Sequence, residues 1–109
     1  MVVDGDDELV GRQVLKLFNS IFQQEKMWFV YSNFINFPGL GTGFSRPVDK
    51  EVMRNNEYRY FGFFTSHLRA FYTKLFLNIE EEDLQDNKGA YFIAANDVAI
   101  CLPILEQSH

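Results

Sequence analysis

Apolar positions along this chain recur in two periods, and the switches between them outline alternating strands and helices. The β-branched pair Val2-Val3 runs straight into Asp4-Gly5-Asp6-Asp7-Glu8. That junction reads as the end of a buried strand, with its carboxylates in the loop where an open α/β sheet holds ligands. Over residues 8–24, apolar side chains fall at Leu9, Val10, Val14, Leu15, Leu17, Phe18, Ile21 and Phe22. This continuous helical stripe leaves Arg12, Lys16, Asn19 and Gln23 for solvent. Asp6 or Asp7 would cap that helix, and acids in a first turn suit its dipole. Residues 27–35 are rich in aromatic and β-branched types and predict a strand that continues unevenly towards Phe37. Residues 38–43, Pro-Gly-Leu-Gly-Thr-Gly, predict a loop, prolonged by Ser45-Arg46-Pro47 and followed by a short helix over 49–55.

Residues 58–64 fit either a strand or the approach to a helix. Beyond them Phe64, Leu68, Phe71, Tyr72, Leu75, Phe76 and Ile79 recur at three- and four-residue intervals, which predicts a helix over 64–79. Residues 80–86 form a solvated acidic stretch, Asn87-Lys88-Gly89 a turn, and Tyr91-Phe92-Ile93 a short strand. Asn96 or Asp97 would cap a last helix through 98–105, interrupted or bent at Pro103. The order strand, helix, strand, loop, helix, helix places the chain in the α/β class.

Length and charge narrow the function classes. The 109 residues support a single domain, or a piece of a larger one. With 47% hydrophobic and 17% aromatic residues the chain is globular rather than disordered. The net charge is −5 and the ten basic residues are dispersed, which argues against an electrostatic grip on nucleic acid or on an anionic membrane. Charged and polar residues interrupt every apolar run well short of the roughly 20 residues a membrane span needs. The acidic N-terminus lacks the basic and apolar regions of a signal peptide. A single cysteine, Cys101, sits in the apolar run 98–105 and reads as a small core residue. It allows no internal disulfide, in keeping with a reducing, cytoplasmic compartment.

Clustered carboxylates repel one another, and a divalent cation such as Mg²⁺ or Mn²⁺ relieves the repulsion. The same acids also serve as turn and cap residues. An EF-hand loop beginning at Asp4 would need glycine at its sixth position, where Leu9 stands. An aspartyl-nucleophile phosphatase is compatible with Asp4 and Asp6, but wants a hydroxyl residue where Asp7 and Glu8 lie. The 38–43 loop could wrap a phosphate, yet it lacks the Lys-Ser/Thr ending of a P-loop and reads better as a flexible connection. Ser66-His67-Leu68-Arg69 opens the predicted 64–79 helix. His67 and Arg69 lie off its apolar stripe, either as plain surface residues or facing a diphosphate at the helix start, with His67 also a candidate metal ligand. Asp97, taken alone, is most simply an N-cap.

The pieces also occur in a telling order. The aspartate cluster is followed by a helix and by Trp28-Phe29-Val30-Tyr31-Ser32-Asn33-Phe34-Ile35. Next come Gly43-Phe44-Ser45-Arg46-Pro47, Ser66-His67-Leu68-Arg69-Ala70-Phe71, and Asn96-Asp97-Val98-Ala99 running to Pro103-Ile104-Leu105-Glu106. Over residues 2–106 this series resembles the second half of family 2 glycosyltransferases of the GT-A fold. The branch it resembles is marked by Ser-His-Leu-Arg-x-Phe and an Asp-x-Ala…Pro-x-Leu-Glu ending.

The resemblance implies a partial GT-A, Rossmann-like sheet with flanking helices, without the N-terminal nucleotide-binding half. It implies transfer of a sugar from a nucleotide-sugar donor to a hydroxyl acceptor, a glycan or similar, with Mn²⁺ or Mg²⁺. Asp6 would be the leading metal ligand, and Asp4 would assist through water or contact the ribose, with Asp7 a further neighbour. Asp97 would be the general base, although Asn96 stands where the family often has Glu. His67 and Arg69 would face the diphosphate or the acceptor. Only Met1-Val2-Val3 precede Asp4, so little or no transfer is expected of this chain. The alternative expectation is a non-catalytic module that self-associates through an exposed sheet edge and its many aromatics.

Overall fold

The computed structural model describes residues 1–24, 26–39 and 41–108. In chain order the elements are α1 (Val14–Gln24), β1 (Phe29–Tyr31), α2 (Lys50–Asn55), a 3₁₀ turn (Tyr58–Tyr60), β2 (Arg69–Phe71), α3 (Thr73–Leu77), a second 3₁₀ turn (Glu81–Leu84) and α4 (Asn96–Gln107). The chain is thus of mixed helix and strand. It divides into one unit of Met1–Arg46 with Thr65–Phe71 and another of Pro47–Phe64 with Tyr72–His109.

In the first unit, α1 packs on one face of an antiparallel pair. Val30 pairs with Ala70, flanked by the pairs Phe29 with Phe71 and Tyr31 with Arg69. The two-residue period of strands puts Val30 and Ala70 on the α1 side. There Phe18, Leu68 and Ala70 form the buried core, with Val14, Phe22 and Val30 against it. Val14, Phe18 and Phe22 are four residues apart, the spacing that keeps side chains on one helix face. On the opposite face the Phe29 and Phe71 rings stack with centroids 6.0 Å apart. The free side of β2 is taken by Val2, whose N–H donates to the Arg69 carbonyl at 2.8 Å. The order across this small sheet is therefore Val2, β2, β1, and it anchors the segment that carries the aspartates.

Several expected elements differ. The first helix begins at Val14 rather than near Glu8. Gly11 adopts φ +87° and donates to the Leu9 carbonyl, a turn incompatible with a continuing helix, and Val10 is left 79% exposed. Asp6 and Asp7 therefore do not cap α1.

The 64–79 helix is replaced by an extended segment, β2 and the short α3. Residues 64–66 and 68–70 are all buried. A strand segment covered on both faces shows a continuous buried run, and the apolar members of this one happen to fall at helical intervals. Side chains claim its backbone as well. The Ser66 N–H donates to Ser45 Oγ at 3.0 Å, and the Leu68 N–H donates to Ser32 Oγ at 2.7 Å.

The glycine-rich loop is a hydrogen-bonded hairpin rather than a flexible connection. Ile35 bridges Thr42, Asn36 N–H donates to the Gly41 carbonyl and Gly43 N–H to the Phe34 carbonyl. A Cβ at position 43 would overlap the Phe34 ring and Asn33 Oδ1, so any larger residue there must displace those side chains. Leu40 of this loop lies outside the described residues. The expected 27–35 strand is confined to β1 and the Ile35 bridge, and the expected strand at 91–93 to one bridge between Tyr91 and Gln85.

The second unit is built around α4, whose Cys101, Pro103, Ile104 and Leu105 are buried. Leu75 of α3 is buried too, and its carbonyl accepts from Gln107 Nε2 at 2.9 Å. The short helix expected over 49–55 is α2; Asp49 caps it, accepting from the Glu51 N–H at 2.7 Å, and Val52 is buried. The helix α4 begins one residue before Asp97, with Ala95 in the left-handed conformation at the cap position. Asn96 and Asp97 therefore lie in the first turn rather than capping it. α4 also runs through Pro103 without ending there.

Candidate metal centre

The antiparallel bridge of Val2 to β2 delivers the aspartates beside the segment leading into that strand. A turn closed by the Asp7 N–H on the Asp4 carbonyl, at 3.0 Å, then folds Asp7 back towards Asp4. His67 stands two residues before β2, and Ser32 clamps both sides of its peptide group. Ser32 Oγ donates to the His67 carbonyl at 3.0 Å and accepts from the Leu68 N–H. The imidazole packs edge-on against Phe34, with centroids 5.5 Å apart.

Three side chains meet here. His67 Nε2 lies 2.7 Å from Asp4 Oδ2 and 3.6 Å from Asp7 Oδ2. One ligand atom from each of Asp4, Asp7 and His67 lies within 4.8 Å of the others. A carboxylate only accepts, so the contact with Asp4 puts the proton on Nε2 in the absence of a metal. The other ring nitrogen, Nδ1, lies 3.1 Å from Ser66 Oγ. The site opens to solvent, with the His67, Asp4 and Asp7 side chains 31%, 48% and 42% exposed.

This donor set fits a divalent ion that accepts both oxygen and imidazole. Two carboxylates and one imidazole are a mixed oxygen and nitrogen donor set of the kind first-row divalent ions accept, whereas Mg²⁺ prefers oxygen and water throughout. A bound ion would take Nε2 in its unprotonated form. Nδ1–H would then donate to Ser66 Oγ, the kind of outer contact that fixes the tautomer and ring orientation of a ligating histidine.

Of the residues singled out in the sequence, Asp4 and His67 are brought together, and Asp7 joins them. Asp6 lies in the same turn and is not one of the three. Arg69 lies in β2 and is only 3% exposed, while its carbonyl receives the Val2 N–H. Neither His67 nor Arg69 sits at a helix start, so no helix dipole contributes to anion binding at either. Asp97 belongs to the second unit, exposed in the first turn of α4. Sequence reasoning missed Ser32, Ser66 and Phe34 as supports. The adjacency of Ser66 to His67 was the one visible signal, since Ser32 and Phe34 reach the site only through strand pairing and the hairpin.

Among the described residues no helix is long and apolar enough to cross a membrane. Comparison with known protein families, with curated proteins and with solved structures returns no match to this chain.

Proposed function

We propose that this chain is a divalent-metal-binding part of a glycosyltransferase of the family 2, GT-A type. The reaction is sugar transfer from a nucleotide-sugar to a hydroxyl acceptor. The observation that carries the reading is the convergence of Asp4, Asp7 and His67. In this reading the three side chains hold Mn²⁺, and Asp6, on the same turn, is available to a coordinated water or to the nucleotide ribose. The ion, when bound, neutralises the charge that builds on a departing nucleoside diphosphate. The protein's own part is orientation. Ser66 and Phe34 hold the His67 ring, and the backbone bond from Val2 to Arg69 holds the strand from which Asp4 and Asp7 project. The resemblance alone gives Asp97, in the first turn of α4, the role of a base for the acceptor hydroxyl.

The test is a titration with Mn²⁺, followed by nucleoside diphosphates, using paramagnetic broadening of amide resonances as the readout. Mn²⁺ should broaden resonances around Asp4, Asp7 and His67, and diphosphate binding should require the ion. Equal diphosphate binding with and without Mn²⁺ would refute the reading.

A second reading, self-association, is favoured by the apolar side chains on the hairpin. Ile35 and Phe44 are more than half exposed and Phe37 is 96% exposed. Such a patch on a soluble chain commonly marks an interaction surface. Sedimentation velocity decides it: a concentration-independent monomer removes this reading.

A further inference from the structure

The second unit contains a cavity of about 280 Å³ that the metal centre does not use. Its apolar wall comes from Phe92 and, along α4, from Val98, Leu102 and Pro103. Its polar wall comes from Glu82 and Asp83 of the second 3₁₀ turn, from Gln85, whose side-chain amide donates to Glu81 at 3.3 Å, and from Arg59.

The charges on that wall are unequal. Arg59 makes a two-pronged contact with Glu106, Nε to Oε1 at 2.6 Å and Nη2 to Oε2 at 2.9 Å. Its Nη2 also donates to Asp83 Oδ1 at 2.9 Å. The guanidinium is therefore committed to two carboxylates, and Glu82 adds a third negative group. A wall rich in acceptors, with its cation already engaged, repels phosphates and carboxylates. It favours a ligand that brings donors and positive charge, and the exposed Phe92 ring offers a cation a further attractive surface.

We propose that this cavity binds a small organic cation, a primary ammonium group carried on a compact apolar body. The body would lie against Phe92, Val98 and Leu102, and the ammonium would donate to Asp83 and Glu82. The volume is near the lower end of ligand pockets and matches a ligand of a few to about ten heavy atoms. This proposal stands apart from the glycosyltransferase reading and survives its failure.

The experiment uses the full chain and three probes of one shape, cyclohexylammonium, cyclohexanol and cyclohexanecarboxylate, followed by amide and methyl resonances. The ammonium should shift Phe92, Val98 and Leu102 and bind about tenfold more tightly than the alcohol. Added salt should shrink that ratio, and the carboxylate should not bind. Glu82→Gln, an exposed position outside the Arg59 network, should weaken the ammonium and spare the alcohol. Ala99→Leu, which puts a side chain into the cavity, should abolish both. Any one of three results overturns the proposal: equal affinity for ammonium and alcohol, binding of the carboxylate, or absence of any shift with the ammonium. An unchanged ammonium affinity in Glu82→Gln would also overturn it.

Discussion

Replacing Asp7 or Asp6 by asparagine separates the geometry of the candidate metal centre from the plain density of acid around it. Both variants remove one negative charge from the same turn, but only Asp7 has an oxygen in the converging trio. With the side chains 31–48% exposed, the surroundings approach water in dielectric behaviour. In that limit a unit charge pair at about 4 Å is worth about 1 kcal/mol, so a divalent ion beside one carboxylate gains about 2 kcal/mol. Asp7→Asn should therefore weaken Mn²⁺ binding by about 30-fold, before any loss of direct coordination. Asp6 lies outside the trio and would act through space or through a coordinated water; beyond direct contact and partly screened at physiological salt, its charge is worth about 1 kcal/mol or less, about fivefold in affinity. Calorimetric titration of Mn²⁺, checked by the electron paramagnetic resonance of the free ion, measures both. Raising the salt should erase the Asp6→Asn effect first. If Asp6→Asn costs as much as Asp7→Asn, the trio is not the binding site and the ion responds to net charge alone.

Four further outcomes are expected. Ser66→Ala removes the partner of His67 Nδ1 and should lower Mn²⁺ affinity about 10- to 100-fold, the usual cost of losing an outer contact to a ligating histidine; an unchanged affinity would assign Ser66 a packing role only. Gly43→Ala should displace the Phe34 ring and cost about 1–3 kcal/mol in urea unfolding, while shifting the His67 ring resonances through the Phe34 contact; retained stability would mean the hairpin opens freely. Ile104→Ala empties a fully buried position on α4 and should cost about 2–5 kcal/mol, so a loss below about 1 kcal/mol would contradict its place in the core. Burial raises the Tyr58 hydroxyl above its ordinary value, and hydrogen bonding to Glu81 raises that of Tyr91. Raised values favour the neutral phenols in the folded state, so this contribution is complete below about pH 10 and is lost as pH rises through the folded-state values. Ultraviolet difference titration should find both late to ionise, and Tyr91 returning towards its ordinary value in Glu81→Gln.

Short-range information carried part of the architecture. The Val14, Phe18, Phe22 stripe, the short helix α2, the burial of Cys101 and the mixed helix and strand content all follow from spacing and side-chain type. So did the carboxylate turn, because acids placed that densely after an apolar pair suggest a cation whatever the fold. His67 was legible as a candidate, though for a different reason from the one the structure provides.

What pairing decided was everything that depends on residues distant in the chain. Residues 64–71 carry helical spacing, yet Val2 and β1 claim the two edges of β2, and those backbone bonds outweigh a local preference worth only a few tenths of a kcal/mol per residue. The same pairing sets Asp4 against His67, 63 positions later. Asp7 joins them because the turn closed by its N–H on the Asp4 carbonyl folds it back towards Asp4. Local composition names the groups able to hold an ion. Long-range hydrogen bonding selects which of them meet, because a side chain's direction is set by the strand or turn that carries it.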